Sequence, residues 1–311
     1  MIIPSTIFFV CILIFILTFY TTKLSIPFFE KFFQDIPNIR SSHKKTKPTG
    51  LGIIFAIFSS IAFLISDNVI YASCFSFAII GLIDDFKGLS SIKRLIFQIG
   101  FSTFCFHNIN YLFINNDSII LSLFSLFSYV FIFTGIVNTI NFMDGIDGIV
   151  ASCMVLVFFG ISLKYDFNLL PLTFSLLGFL ILNWSPAKVF MGDSGSTYLG
   201  SVYAISLMSS SSFNDFLEII LLTTPLLADA IICRFRILLN GGNIFSPHKL
   251  HLYQRLYSGG FSHSKISFLY ASATGLLVFS FLNYSLFLMF ILSLLIISIG
   301  ICLDHKFAVK F

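Results

Sequence analysis

Five aspartates, Asp84, Asp85, Asp144, Asp147 and Asp193, stand at the ends of long apolar stretches, together with the amides of Asn138 and Asn141 and the imidazoles of His248 and His251. Carboxylates, amides and basic groups gathered at one boundary suit a divalent cation carrying phosphate groups. The chemistry to expect is phosphoryl transfer at a membrane surface. Asp84 and Asp85 are neighbours in GLIDDFKGLS. Adjacent helical side chains diverge by about 100°, so the two cannot aim equally at one ion, and one is expected near the metal with the other on a substrate. In VNTINFMDGIDGI, Asn138 and Asn141 lie three apart, as do Asp144 and Asp147. Each pair can share a helix face, while Gly145 and Gly148 permit close backbone approach. A single acid there would pass as a helix cap. Four polar groups ending an apolar span would not, because a charge deep in the bilayer costs about 2.5–3.5 kcal/mol.

The segment FMGDSGS places Asp193 in a glycine-bracketed turn ahead of an apolar helix, where unpaired N–H groups and the helix dipole favour phosphate. SPHKLHLYQRLYSGG reads as a short amphipathic helix, with Ser246 as N-cap, Pro247 at its first position and Gly259 as terminator; His248, His251 and Arg255 then share one face. Two histidines so spaced could bind zinc, but no third nitrogen or sulfur ligand accompanies them, and phosphate contact is the better reading. Asp229, inside an apolar stretch, is expected either to pair with Arg236 or to join the site.

The elements that must position these groups are membrane helices. Of 311 residues, 57% are hydrophobic and 10% charged, whereas soluble domains carry about a quarter charged residues. Eleven apolar stretches, near 2–22, 51–66, 69–83, 92–106, 119–137, 149–163, 169–183, 196–212, 216–233, 265–282 and 284–303, approach or exceed the length of about 17–20 residues that crosses a bilayer. They are continuously apolar, which excludes a β-barrel. The expected fold is an all-α integral membrane protein of about eleven transmembrane helices. It forms a single polytopic domain over 1–311, with site-forming loops at 23–50, 84–94, 138–149, 184–196 and 234–265. The first stretch lacks a basic leader and a cleavage site and reads as a retained span. With the amino terminus outside, seventeen of the eighteen basic residues fall inside, all but Lys164, which places the C-terminus in the cytoplasm. The net charge of +4 is thereby used for orientation and gives no reason to expect nucleic acid. Six cysteines without short-spaced pairs indicate neither a disulfide framework nor a zinc site. Orientation does not explain five acids on the cytoplasmic side.

In order along the chain, DIPNIRSSHKKTKP, IDDFKG, NTINFMDGIDG, FMGDSGS and SPHKLHLYQRL resemble the motifs of the polyprenyl-phosphate N-acetylhexosamine-1-phosphate transferases. The resemblance covers nearly the whole chain and implies transfer of a sugar-1-phosphate from a UDP-N-acetylhexosamine to undecaprenyl phosphate, with release of UMP. The implied cofactor is magnesium, or manganese in its place. Also implied are a bacterial inner-membrane location with a cytoplasmic active site and membrane lipid as a partner; the sequence leaves open whether the chain forms a homodimer. Carried over by position, Asp193 and Asn141 are the implied metal ligands, with Asp84 and Asp85 near the metal and the lipid phosphate. Asn138, Asn141, Asp144 and Asp147 face the nucleotide; Lys87, Arg40, His43, His248, His251 and Arg255 contact the substrates. Two departures stand out. The usual adjacent glycines of the first motif appear as Gly50-Leu51-Gly52. The three consecutive histidines of the phospho-N-acetylmuramoyl-pentapeptide branch appear as His248-Lys249-Leu250-His251, which favours the branch that begins O-antigen or capsule units. The alternatives are that peptidoglycan branch and a flippase. A flippase would place its acids near the bilayer midplane and often show a repeat, and neither pattern is present. A CDP-alcohol phosphotransferase would need an Ala-Arg after its Asp-Gly, which DGIDGIVAS lacks.

Overall fold

The computed structural model describes residues 5–37, 45–108, 119–242 and 249–311. The candidate residues Arg40, His43 and His248 lie outside them. Fourteen helices are described: α1 (Ser5–Phe32), α2 (Gly52–Ile65), α3 (Val69–Ser73), α4 (Phe75–Lys87), α5 (Ser91–Asn108), α6 (Ile119–Met143), α7 (Ile149–Lys164), α8 (Leu170–Asn183), α9 (Gly192–Met208), α10 (Phe213–Leu222), α11 (Thr224–Leu239), α12 (Leu252–Ser258), α13 (His263–Asn283) and α14 (Leu286–Phe307). The only strands among the described residues are the two-residue pairs β1 (Gln34–Asp35) and β2 (Lys47–Pro48), which run antiparallel and close the loop after α1.

Helix is found at each of the eleven apolar stretches, and the chain is an all-α, multi-pass membrane protein. Among the described residues five helical segments are long and apolar enough to cross a bilayer. A sixth is added if α10 and α11, which meet at an 80° bend, count as one span. The others are shorter, α2 having 14 residues, against the roughly 20 that span the hydrocarbon core. The expected loops are also less loop-like than supposed. Residues 84–87, 138–143, 192–196 and 234–239 are helix ends, because apolar helices run on past the hydrophobic stretch to deliver polar groups at their tips.

The buried core is mostly apolar, but small and hydroxyl-bearing residues line the contacts made by α9. Every residue of α9 from Ser194 to Met208 is buried, and α9 packs on α4 and α6 with α2 alongside. Lipid offers no hydrophobic reward for helix pairing, so small residues that let backbones meet, together with interhelical hydrogen bonds, do the work. A Cβ on Gly52 would lie 2.3 Å from Gly195 Cα, one on Gly81 2.4 Å from the Asp193 carbonyl, and one on Gly200 2.9 Å from Val137 Cα. Hydroxyls tie the same helices: Ser59 to Tyr198 at 2.7 Å, Tyr71 to Ser206 at 3.1 Å, and Tyr203 to Thr223 at 2.8 Å. The outward faces carry Phe124, Phe127 and Phe131 on α6 and Phe287, Leu294 and Ile299 on α14, all exposed, as lipid contact requires.

The two ends of the bundle differ. At one, the C-terminal ends of α4 and α6 meet the N-terminal end of α9. At the other, where α7 ends, Lys164 pairs with Glu218 at 2.5 Å and donates to the Phe281 carbonyl, while the Tyr165 hydroxyl reaches both Asp215 and Glu218 at 2.8 Å.

A methyl at Gly81 meets backbone that cannot yield. We therefore expect Gly81→Ala to lower stability by about 1–3 kcal/mol, read as a fall in thermal unfolding temperature of the purified protein in detergent. Gly100→Ala, inside α5 where an added Cβ meets nothing within 4 Å, does not lower that temperature, since alanine is the better helix residue.

Candidate active site

The site is organised around the first turn of α9. Gly192, at φ +68°, turns the chain into the helix, and the N–H groups that follow have no partner within the helix. Asp85 supplies one: its Oδ1 accepts the Asp193 N–H at 2.9 Å and its Oδ2 the Ser194 N–H at 3.1 Å. A Cβ at Gly192 would stand 2.4 Å from Asp85 Oδ2, so glycine is what lets the carboxylate in. The preceding strand of loop is clamped as well. Phe190 donates to the Pro48 carbonyl, and the Leu51 and Gly52 N–H groups donate to Phe190 and Met191. The Asp193 carboxylate takes no part in that cap and turns instead to Arg94.

Asp84 points elsewhere than Asp85, as the helical offset requires. Its Oδ1 accepts the Leu89 N–H at 2.5 Å. Its Oδ2 lies 2.8 Å from Arg94 Nη1, and the same nitrogen is 2.9 Å from Asp193 Oδ2. One guanidinium from α5 thus sits between two carboxylates from α4 and α9. One turn further along α9, Ser196 Oγ donates to Asn141 Oδ1 at 2.7 Å, bringing the end of α6 to the same place. Among the described residues no three His, Cys, Asp or Glu side chains form a ready-made cage. The arrangement has two carboxylates facing a single positive charge, the donor set from which a small hard cation takes one or two ligands before completing its shell with water and phosphate.

Asp144 and Asp147 do not share a helix face. α6 ends at Met143 and α7 begins at Ile149, so both lie in the non-helical link that Gly148, at φ +74°, turns. Asp147 is nearly fully buried and fully engaged. It accepts the Ala187 N–H at 3.0 Å, and its Oδ1 is 3.3 Å from both Lys47 Nζ and His263 Nδ1. Burial pushes its carboxyl up, but His263, the Ala187 N–H and Lys47 outweigh that and hold it well below the usual carboxylate range. Asp144 goes the other way. Half-buried, it is raised from its ordinary 3.8 to about 8, first by burial and then by the charges of Asp85, Asp147 and Asp35.

The remaining sequence candidates divide. Lys87 is exposed at the tip of α4. Asn138 sits one turn deeper in α6, where its amide exchanges hydrogen bonds with Gln98 of α5 at 2.9 and 3.3 Å. The short helix expected from Ser246 begins instead at Leu252, with His251 as N-cap; Gly259 does follow its end. Its start is set by Asp229, whose carboxylate accepts the Leu252 N–H at 2.7 Å and the Tyr253 N–H at 3.2 Å, and also the Tyr270 hydroxyl at 2.7 Å. Asp229 is therefore the partner of α12, not of Arg236. Arg236 and Arg255 both pair with Asp304 of α14, which places Arg255 on the tail side, away from the α9 turn. His251 is buried, with its ring stacked on Tyr253 and Nδ1 3.5 Å from Asp229. Tyr253 in turn donates to the Phe142 carbonyl at 3.2 Å, joining α12 to the end of α6.

Arg94, Lys47, Ser196 and His263 join these groups in addition to the candidates singled out from the sequence. Arg94 and Lys47 are among the basic residues that the expected topology already uses for orientation. Ser196 carried a signal, standing three residues after Asp193 on the same helical face.

Asp144 and Asp147, both in the link between α6 and α7, predict opposite pH behaviour without divalent cation. Asp144, raised in the folded state, contributes stability below its ordinary value and loses it as pH climbs toward about 8. Asp144→Asn should thus gain thermal stability over the parent between pH 5 and 8, with no further gain above. Asp147, depressed in the folded state, contributes across that whole range and loses its contribution only in stronger acid. Asp147→Asn should accordingly unfold at a lower temperature at every pH from 5 to 9.

The profile of the family described as Glycosyl transferase family 4 matches residues 67–211, a span holding all five aspartates. The chain is 29% identical over 297 residues to the probable undecaprenyl-phosphate N-acetylglucosaminyl 1-phosphate transferase of Bacillus subtilis, covering 83% of this chain and 81% of that one. It is 30% identical over 289 residues to the phospho-N-acetylmuramoyl-pentapeptide-transferase of Staphylococcus aureus, covering 79% and 89%. With the protein of the same description from Prochlorococcus marinus it shares 30% over 243 residues, covering 65% and 68%. The chain belongs to glycosyl transferase family 4, within the superfamily of polyprenyl-phosphate N-acetylhexosamine-1-phosphate transferases.

Proposed function

We propose that this protein transfers an N-acetylated sugar-1-phosphate from a UDP-sugar to undecaprenyl phosphate, giving undecaprenyl-diphospho-sugar and UMP. The observation that carries the reading is the meeting of Asp84 and Asp193 around Arg94 at the first turn of α9. It puts carboxylates, a guanidinium and the positive end of a buried helix at one point on the bundle, where phosphates can be held.

The acceptor is a phosphate monoester with a second pKa near about 6, so at neutral pH it is mostly dianionic and needs little help from a base. One of its oxygens attacks the β-phosphorus of the UDP-sugar in line. The bond from that phosphorus to the bridging oxygen breaks, and UMP leaves with the electron pair. The chain's residues position and neutralise. Asp85 fixes the α9 turn, Asp84 stands on the acceptor side and holds any residual acceptor proton, and Asp144 faces the nucleotide. Asp147 secures the link that carries Asp144 by gathering Lys47, His263 and the Ala187 N–H. Asp193 and Asn141 would hold magnesium, or manganese, which supplies charge neutralisation on the diphosphate when bound. His248, His251 and Lys87 belong to the substrate side in this reading.

The proposed setting is a bacterial inner membrane, with the chain as one polytopic domain. Eleven spans carry the amino terminus outside and bring the site to the cytoplasmic face. The pairing of Lys164, the one basic residue on the outer side in this topology, with Glu218 at the end of the bundle remote from Asp193 supports that orientation. The His248-Lys249-Leu250-His251 pattern supports initiation of an O-antigen, capsule or related envelope polymer, and the Bacillus relative, named for N-acetylglucosaminyl 1-phosphate transfer, supports an N-acetylglucosamine donor. A second reading, phospho-N-acetylmuramoyl-pentapeptide transfer, is favoured by the other relatives named above.

Purified protein with undecaprenyl phosphate, magnesium and a panel of UDP-sugars tests this by UMP release and lipid-linked product. We expect product with a UDP-N-acetylhexosamine and a loss of about 100-fold or more in Asp193→Asn. Product solely with UDP-N-acetylmuramoyl-pentapeptide would establish the second reading, and no product with any donor would refute both.

A further inference from the structure

The position of Arg94 raises a question that sugar-phosphate transfer does not answer. Arginine cannot lose its charge, and its fork is built to take a carboxylate with two nitrogens. Here one nitrogen, Nη1, lies 2.8 Å from Asp84 Oδ2 and 2.9 Å from Asp193 Oδ2, so a single point of positive charge bridges two carboxylates on different helices. That is the geometry of a bridging cation more than of a surface ion pair. The surroundings agree. Asp84 has its other oxygen committed to the Leu89 N–H, and Asp85 has both oxygens committed to the α9 N-terminus. Asp85 thus has nothing left for a cation, and the Asp84 oxygen that faces Arg94, beside that of Asp193, is the one Asp84 still has to offer. The Arg94 side chain is 30% exposed and comes from α5, an element separate from those that carry the acids, so it can withdraw without disturbing them.

We propose that Arg94 occupies the divalent-cation position when no metal is bound, and that metal arrival at Asp193 displaces its guanidinium into the open cleft. The inference rests on the reading of Asp193 as a metal ligand. It assigns Arg94 as a positioning residue with two states. Paired with Asp84 and Asp193, it keeps adjoining carboxylates from repelling one another in the empty enzyme. Released, it adds a free positive charge beside the metal. Metal binding and anion binding then reinforce each other, since a phosphate meets an unpaired guanidinium after the metal has entered. The cost is competition: Arg94 weakens metal binding in the absence of anion.

Manganese titration followed by electron paramagnetic resonance, on the full-length protein in detergent without nucleotide, reads this directly. Arg94→Gln should bind manganese about tenfold more tightly than the parent, a coupling of ordinary size, and Asp193→Asn should abolish specific binding. Parent binding that depends on Asp193, with no tightening in Arg94→Gln, overturns the displacement while leaving the metal reading in place. Parent binding indifferent to Asp193→Asn overturns both. A second measurement needs no variant. Modification of Arg94 by phenylglyoxal, followed by peptide mass spectrometry, should accelerate several-fold when manganese is added to the parent protein. An unchanged or slower rate means that the guanidinium stays where it is and overturns the proposal. This second readout also separates displacement from mere loss of a nearby charge, which would tighten metal binding but leave Arg94 no more reactive.

Discussion

The Asp85 carboxylate accepting two N–H groups from the first turn of α9 is the contact on which the site depends. A helix that starts inside a crowded bundle has no water to satisfy its first donors, and leaving them unpaired would cost about 1–3 kcal/mol each. The acid pays that cost from another helix. In doing so it fixes where α9 begins, how α4 lies against it and which way Asp193 projects. Gly81 and Gly192 remove the atoms that would keep the two helices apart. The same device recurs where Asp229 caps α12 from α11 and thereby places His251 and Tyr253. Asp85 and Asp229, acids of catalytic type, are thus in their contacts the fasteners that hold neighbouring residues at the cleft.

That division was only partly legible in the sequence. The apolar stretches gave the helices, because periodicity is irrelevant where both faces are apolar and length alone marks a membrane element. The motifs gathered Asp84, Asp85, Asn141 and Asp193 at one place. What could not be read was direction. The helical offset separates Asp84 from Asp85 but does not say which meets α9, since that is set by a helix more than a hundred residues later in the chain. The start of α12 was misread for a similar reason. Ser246 and Pro247 make a good local helix start, but a carboxylate on α11 supplies a stronger one at Leu252. Arg94 was hidden by a rule that is itself sound, for cytoplasmic basic residues need no explanation beyond orientation.

The charges of the cleft are arranged in graded commitment. Asp147 is tied on every side and held ionised; Asp85 is spent on a helix; Asp84 and Asp193 share the Arg94 guanidinium; Asp144 is lifted toward neutrality by burial and then by its acidic neighbours. Such a gradient lets one site carry several acids within a few ångströms without flying apart when empty. In the proposed function, metal and phosphate would then meet Asp84, Asp193 and Arg94, with Asn141 adjoining through Ser196.

The central claim is that the α9 turn is where cation and phosphate meet. Anomalous diffraction from crystals grown with manganese and a UDP-N-acetylhexosamine tests it most directly. The account predicts one strong manganese peak against Asp193, with the diphosphate beside it. A peak seated instead at the Asp215 and Glu218 end of the bundle, or nucleotide bound with no metal near Asp193, would contradict it.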